Sequence, residues 1–237
     1  SINAGHNAFG GRQADIVANQ CPGDVSVPMS VVNSSFAENV EVETLGDGIY
    51  LYGGGSHNSV VVEFEDYIAV VEAPLHEKRN LAVIDTIVEH IPNKPIRFLI
   101  NTHQHHDHIG GLRTYMHIGA TIITHWKNYD FYTKDVLNYS QRTLDPDMLS
   151  LWPPTELAEG YQYEVVRENY VLTDGERIMQ MSYVHPLSHV EGMLVAYLPE
   201  QKILIEADLL DAPNSILPSE ATAANRTLYN HVQRLGL

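Results

Sequence analysis

The chain has a single cysteine, Cys21, in 237 residues. An internal disulfide is therefore excluded, and so is a structural zinc cluster built on thiolates. Cations are also scarce, with 14 Lys and Arg against 30 Asp and Glu and a net charge of -16. A surface of that sign repels phosphate backbones and anionic lipid, so nucleic acid is not expected as a partner. Long apolar runs are missing too. The longest are strand-sized, so no membrane insertion is expected. The sequence opens on Ser1-Ile2, without Met or a positively charged apolar leader. It reads as a processed or cut chain, so that any targeting signal would lie upstream, with a weak lean toward periplasm or secretion. Oligomeric state is not legible at this level.

What is abundant is histidine: 13 residues, eight of which fall between His103 and His189. Residues 1–39 are rich in Gly, Asn, Ser and Pro without periodicity, and read as an N-terminal arm or extension. From Val40 the pattern becomes regular. Val40–Leu45 and Ile49–Tyr52 flank Gly46-Asp47-Gly48 as one hairpin, and Ser59–Phe64 with Tyr67–Val71 forms a second. Between Pro74 and Pro92 the spacing turns helical, with Leu81, Ile84, Val88 and Ile91 on one stripe. Strands are expected at Ile96–Ile100, Ala120–Thr124, Tyr161–Arg167, Arg177–Val184, Met193–Leu198 and Lys202–Glu206. Helices are expected through Trp126–Leu137 and Ala223–Leu235, and a loop or lid over Asp145–Gly160. Two sheets packed face to face, with helices outside, would bury all these faces in one layered α+β domain over residues 40–237.

The apolar run Ile96–Ile100 leads directly into His103-Gln104-His105-His106-Asp107-His108. In an extended chain, residues two apart point the same way, so His103 and His105 would share one side. Two imidazoles so placed suit a metal bound at Zn–N distances of roughly 2.0–2.1 Å. Asp107 and His108 then offer an oxygen and a nitrogen to a neighbouring metal. Gly110-Gly111 lets the chain turn and start a helix with little bulk in the way. With this composition, His-x-His-x-Asp-His should arise by chance in roughly two of a thousand such chains. A purification tag is excluded by position.

The stretch Asn101–Gly111 resembles the signature loop of the metallo-β-lactamase superfamily. His189-Val190-Glu191-Gly192 is similar in placement to the next ligand histidine of that family. Ile203–Asp208 resembles the strand that ends in its metal-bridging aspartate, and Glu72 stands where the family has a supporting aspartate. The resemblance implies a four-layer αββα sandwich with the metals at one edge. It implies His103, His105 and His189 on a first metal, Asp107 and His108 on a second, and Asp208 between them. Two divalent ions, zinc foremost, would be the cofactors. Asp107 would orient the nucleophile and carry a proton to the leaving group. The family adds a last histidine on a loop after a final strand, expected beyond Leu237. His231 reads as a surface residue of the last helix.

The implied activity is zinc-dependent hydrolysis of an ester, lactone, thioester or amide in a small-molecule substrate. Asp208 in the bridging position resembles the lactonase, thioesterase and phosphodiesterase branches. Rival readings are β-lactamase-type amide hydrolysis, a di-iron redox protein of the same fold, and a non-catalytic binding module. Among the other histidines, His57 follows Gly53-Gly54-Gly55-Ser56 on a hairpin that the resemblance makes a flap over the metals, and is a substrate-contact candidate. His106 is expected to line the cleft and His185 to be a supporting or solvated residue. His6, His76, His90, His117 and His125 are read as structural or surface positions. Trp152-Pro153-Pro154 with Tyr139, Tyr161 and Tyr163 forms either an aromatic lid or an ordinary packed loop.

Overall fold

A computed structural model describes residues 38–137, 146–152, 161–211 and 219–237. Most of the N-terminal arm, together with Tyr139, Pro153 and Pro154, lies outside the described residues. The chain opens with the hairpin β1 (Glu41–Gly46) and β2 (Ile49–Gly53), followed by the hairpin β3 (Ser59–Glu63) and β4 (Ile68–Val71). Helix α1 (Glu77–His90) crosses to β5 (Ile96–Ile100), and the short helices α2 (His106–Ile109) and α3 (Leu112–His117) lead to β6 (Thr121–His125). A helical passage over 126–136 and the single turn α4 (Met148–Leu151) precede β7 (Tyr163–Val166). Then come β8 (Asn169–Thr173), β9 (Ile178–Tyr183), β10 (Leu194–Leu198), β11 (Ile203–Ile205) and α5 (Ala223–Leu235).

The strands form a seven-stranded sheet in the order β1 to β7 and a four-stranded sheet in the order β11-β10-β9-β8. β1 to β4 pair antiparallel and β4 to β7 parallel, whereas the second sheet is antiparallel throughout. β4 shows how alternation builds the layers, since successive side chains point to opposite faces. Ile68 and Val70 join a cluster with Val83, Ile87 and Leu112 of the helices. Ala69 and Val71 join Met181, Leu194 and Ala196 between the sheets. Behind the second sheet, Val184, Met193 and Val195 pack on Leu228 of α5. The layers therefore run helix, sheet, sheet, helix, which is the αββα sandwich.

Three expectations change. Helix α1 buries Val83, Ile84 and Ile87 beside Arg79 and Asn80, while Val88 is exposed. Both stripes have helical spacing; what turns the helix is that Arg79 and Asn80 bond to the loops beneath it. Asn80 donates to the carbonyls of Pro74 and His76, and Arg79 to those of Asn39, Tyr52 and Gly53. Strand β8 was not expected, because at the sheet edge it buries only Leu172 and so carries little alternation. His231 is not a surface residue. It is buried in α5 against β9, with Nε2 2.9 Å from Ser182 Oγ and Nδ1 2.8 Å from the Arg234 guanidinium.

Candidate metal centre

The parallel strands β4 and β5 end side by side, and the chain leaving each builds the site. Glu72, just past β4, has φ 75, a conformation costly for a residue with a side chain. It is held there by its bonds. Its backbone N–H donates to Ile100 O, and its buried carboxylate accepts from the backbone N–H of Thr102 at 2.7 Å and from Asn101 Nδ2 at 3.1 Å. The other carboxylate oxygen pairs with His108 Nδ1. Asn101 also donates to His108 O and accepts from the buried Tyr132 hydroxyl. Sequence reasoning singled out Glu72 but not Tyr132, which stands in a helical passage with nothing to distinguish it from core tyrosine.

The glycines after the histidine run serve close approach. A methyl group on Gly110 would stand 1.8 Å from Leu75 O, and one on Gly111 would stand 2.0 Å from the Asn80 side chain. The loop is thereby pressed onto the segment between β4 and α1, where Leu75 N–H donates to Asp107 O and Gly111 N–H to Ala73 O.

The second half of the chain supplies two residues singly. His189 precedes β10, and Asp208 follows β11 with φ 63, again an unusual backbone for a residue with a side chain. The backbone N–H of Leu194 donates to Thr102 O at 2.9 Å, joining the start of β10 to the histidine loop. Gly192 is packed against Asn128, whose side chain reaches its carbonyl at 3.2 Å.

The six expected metal ligands converge, and His57 joins them. Asp208 Oδ2 lies 3.3 Å from His103 Nε2, 3.2 Å from His108 Nε2 and 3.1 Å from His189 Nε2. His103 Nε2 is 3.0 Å from His105 Nδ1. Asp107 Oδ2 is 3.9 Å from His108 Nε2 and 3.4 Å from Nε2 of His57, which the hairpin turn between β2 and β3 brings in. Two groups result, His103 with His105, His189 and Asp208, and His57 with Asp107 and His108. Within each group the ligand atoms lie within 4.8 Å of one another. His106 points largely to solvent, 3.9 Å from Asp107. His185 is half-exposed and stacks on Tyr183. Tyr161 donates to Thr133 O and Tyr163 bonds Thr124, while the rest of the expected lid, apart from the exposed Trp152, lies outside the described residues.

Electrostatics follow from burial and charge. Burial, then the neighbouring imidazole of His108, pushes His103 down to about 3, against the pull of Asp208. Burial and His189 lower His105 likewise. Burial would lower His108 as well, but the bond to Glu72 and three carboxylate charges outweigh it and raise it above the ordinary imidazole value. Burial would raise Asp107, yet its own backbone N–H and the histidines around it hold the carboxyl below the usual range. His103 and His105 are thus held neutral close to the ionised Asp107, a donor set that attracts a cation.

A family profile described as the metallo-beta-lactamase superfamily matches residues 52–234. The chain belongs to the metallo-β-lactamase superfamily. Among solved structures, a metallo-beta-lactamase from Pontibacter korlensis superposes with TM-score 0.61 at 14% identity, over 83% of this chain and 86% of that one. The metallo-beta-lactamase DIM-1 superposes with TM-score 0.59 at 15% identity, over 83% and 85%. At such identity the likeness establishes the shared fold and leaves the substrate open. In sequence, 68 residues, 28% of this chain, are 35% identical to the linear primary-alkylsulfatase of Pseudomonas sp.. The match spans only 10% of that protein's length. Membership of the superfamily suggests a metal-dependent hydrolase.

The residues fit the metals that a metallo-β-lactamase fold binds. Two ligands on one tetrahedral zinc, at 2.0–2.2 Å each, stand about 3.4 Å apart. Most of the contacts to Asp208 and the His57–Asp107 contact fall near that separation. His108 Nε2 is buried with no hydrogen-bond partner among the described residues. Glu72 accepts from Nδ1–H, which leaves Nε2 directed at Asp208, the position from which it would bind a cation.

Proposed function

We propose that this chain is a zinc-dependent hydrolase with a two-metal centre that cleaves an ester, lactone, thioester or amide bond in a small-molecule substrate. His103, His105 and His189 would hold the first ion and Asp107 and His108 the second, with Asp208 shared. The observation that carries this reading is the convergence of Asp208 Oδ2 on Nε2 of His103, His108 and His189 at 3.1–3.3 Å. Residues 40–237 would be the catalytic domain and 1–39 an extension to it.

When bound, the metals supply Lewis acidity and lower the pKa of water to about 7. The rest falls to the chain. Asp107, ionised and about a third exposed, would use the carboxylate oxygen left free by the metal to orient the attacking water, accept its proton and pass it to the leaving group. Glu72 keeps the His108 ring fixed, and the Thr102 hydroxyl, 3.0 Å from His103 Nδ1, does the same for His103. A groove of about 270 Å³ lined by Lys127, Tyr183, His185, Leu187, Val190 and Glu191 adjoins the His189 loop. The short match to an alkylsulfatase favours a sulfate ester as the second substrate class.

The test is a panel of lactones, thioesters, β-lactams, phosphodiesters and alkyl sulfates, assayed with zinc added. His105→Ala and Asp107→Ala should each abolish turnover while circular dichroism stays unchanged. Turnover that survives both substitutions would refute the reading, and colour from bound iron would favour a redox role.

A further inference from the structure

The turn between β2 and β3 carries Gly53-Gly54-Gly55-Ser56-His57-Asn58, and its tip residues are exposed except for the part-buried His57. A turn histidine without a task would reach into water. This one packs edge-on against His108, ring centroids 5.2 Å apart, and sets Nε2 3.4 Å from Asp107 Oδ2. We propose that His57 is the third protein ligand of the second metal, completing the set begun by Asp107 and His108. The inference rests on the two-metal reading above and assigns to the turn the role of closing that site.

Three independent features support it. His57, Asp107 and His108 offer ligand atoms within 4.8 Å of one another, and the His57–Asp107 separation is that of two ligands on one tetrahedral ion, about 3.4 Å. The far nitrogen of His57 is engaged, with Ser56 Oγ 2.9 Å from Nδ1. If Ser56 accepts from Nδ1–H, the Nε2 lone pair faces the site. The arrangement repeats that of His103 with Thr102 and of His108 with Glu72, where a group on Nδ1 leaves Nε2 for the centre. The turn is also anchored at its root. The buried Arg79 donates to Tyr52 O and Gly53 O, and Gly54, at φ +97, lies where a side chain would meet Asn39 O at 2.4 Å. The glycines therefore fit the turn closely against β1, and His57 is delivered from a fixed base. With Asp208 shared, the second ion would have four protein donors, as many as a tetrahedral zinc takes.

The rival explanation is an ion pair between a protonated His57 and Asp107, a contact that at a half-exposed site contributes little. Metal content separates the two. Wild type, His57→Ala and His57→Cys are loaded with zinc or cobalt(II), freed of excess metal by gel filtration, and measured by elemental analysis and visible and near-ultraviolet absorption. The expected result is two ions per chain in wild type and about one in His57→Ala, with circular dichroism unchanged. His57→Cys with cobalt should gain a thiolate-to-metal charge-transfer band that wild type, which shares Cys21, lacks. Two ions retained by His57→Ala at unchanged affinity, or no new band in His57→Cys, would overturn the proposal. A wild type holding one ion or none would overturn the two-metal reading itself, so the two failures are distinguishable.

Discussion

The two groups of candidate ligands differ in what assembles them. His57, Asp107 and His108 all belong to the first half of the chain, where one hairpin turn and one loop meet over the ends of β4 and β5. His103 and His105 come from that same loop, but their partners His189 and Asp208 arrive from the second sheet. The first arrangement needs only the seven-stranded sheet and its helices. The second exists only when the two sheets are docked through the apolar layer between them. The shared carboxylate of Asp208 makes the two interdependent at the centre while their supports remain separate. A site built in this way should fail in stages, and the stage that fails first should depend on which half is disturbed.

The largest effect is expected at the point common to both. Gly110→Val would drive side-chain atoms into Leu75 O, a backbone atom with nowhere to move. A destabilisation of about 3 kcal/mol is expected, with loss of both ions. Chemical denaturation measures it, and a midpoint like that of wild type would mean that the loop relaxes freely. Next comes Glu72→Gln. Its amide would donate to His108 Nδ1, forcing the proton to Nε2 and removing that lone pair from the site. Affinity for the second ion should fall about 10–100-fold, with the first ion affected less. Competition with a chromophoric chelator reads both constants, and an equal fall in the two would erase the distinction between the groups.

A smaller effect should come from acid. Burial, then Arg234 and His185, pushes His231 down to about 4 from an ordinary 6.5. Between those values the unfolded chain binds the proton that the folded chain refuses. The contribution of His231 is therefore fully present above about pH 6.5 and is lost as pH falls toward about 4. Amide exchange should rise in α5 and β9 over that window while β4 and β5 keep their protection. A uniform rise across both sheets would deny that the halves respond separately. The smallest effect is expected at Val88→Lys, on the exposed side of α1, where stability should change by less than about 0.5 kcal/mol. A larger loss would show that Val88 packs against something in solution.

Much of the site was legible because it is written locally. The run from His103 to His108, the preceding apolar strand and the following glycines sit within sixteen residues, so spacing alone relates them. His189 and Asp208 were reached only by resemblance, since nothing local marks a lone histidine before β10 or a lone aspartate after β11. The misreadings have the same origin. His231 looked like surface because a helical stretch near the end of a chain gives no sign of which side is covered. Ser182, which covers it, lies 49 positions earlier. Tyr132, Asn101 and Arg79 support the site through contacts spanning 26 to 40 positions that no periodicity reports.

By itself the sequence determined the layers and the donor groups of the candidate site. Alternation of apolar residues at period two set most strands, helical spacing set α1 and α5, and the histidine-aspartate run set the donor atoms. These properties depend on residue type and short spacing. Tertiary structure decided which face of α1 turns inward, that His231 is buried, that Glu72 fixes the tautomer of His108, and that His57 meets Asp107. Each of those outcomes is settled by where a distant backbone carbonyl, carboxylate or ring arrives once the sheets have packed. Such positions are set by the summed burial of two apolar faces and by the bonding of buried polar groups, not by any one stretch of chain.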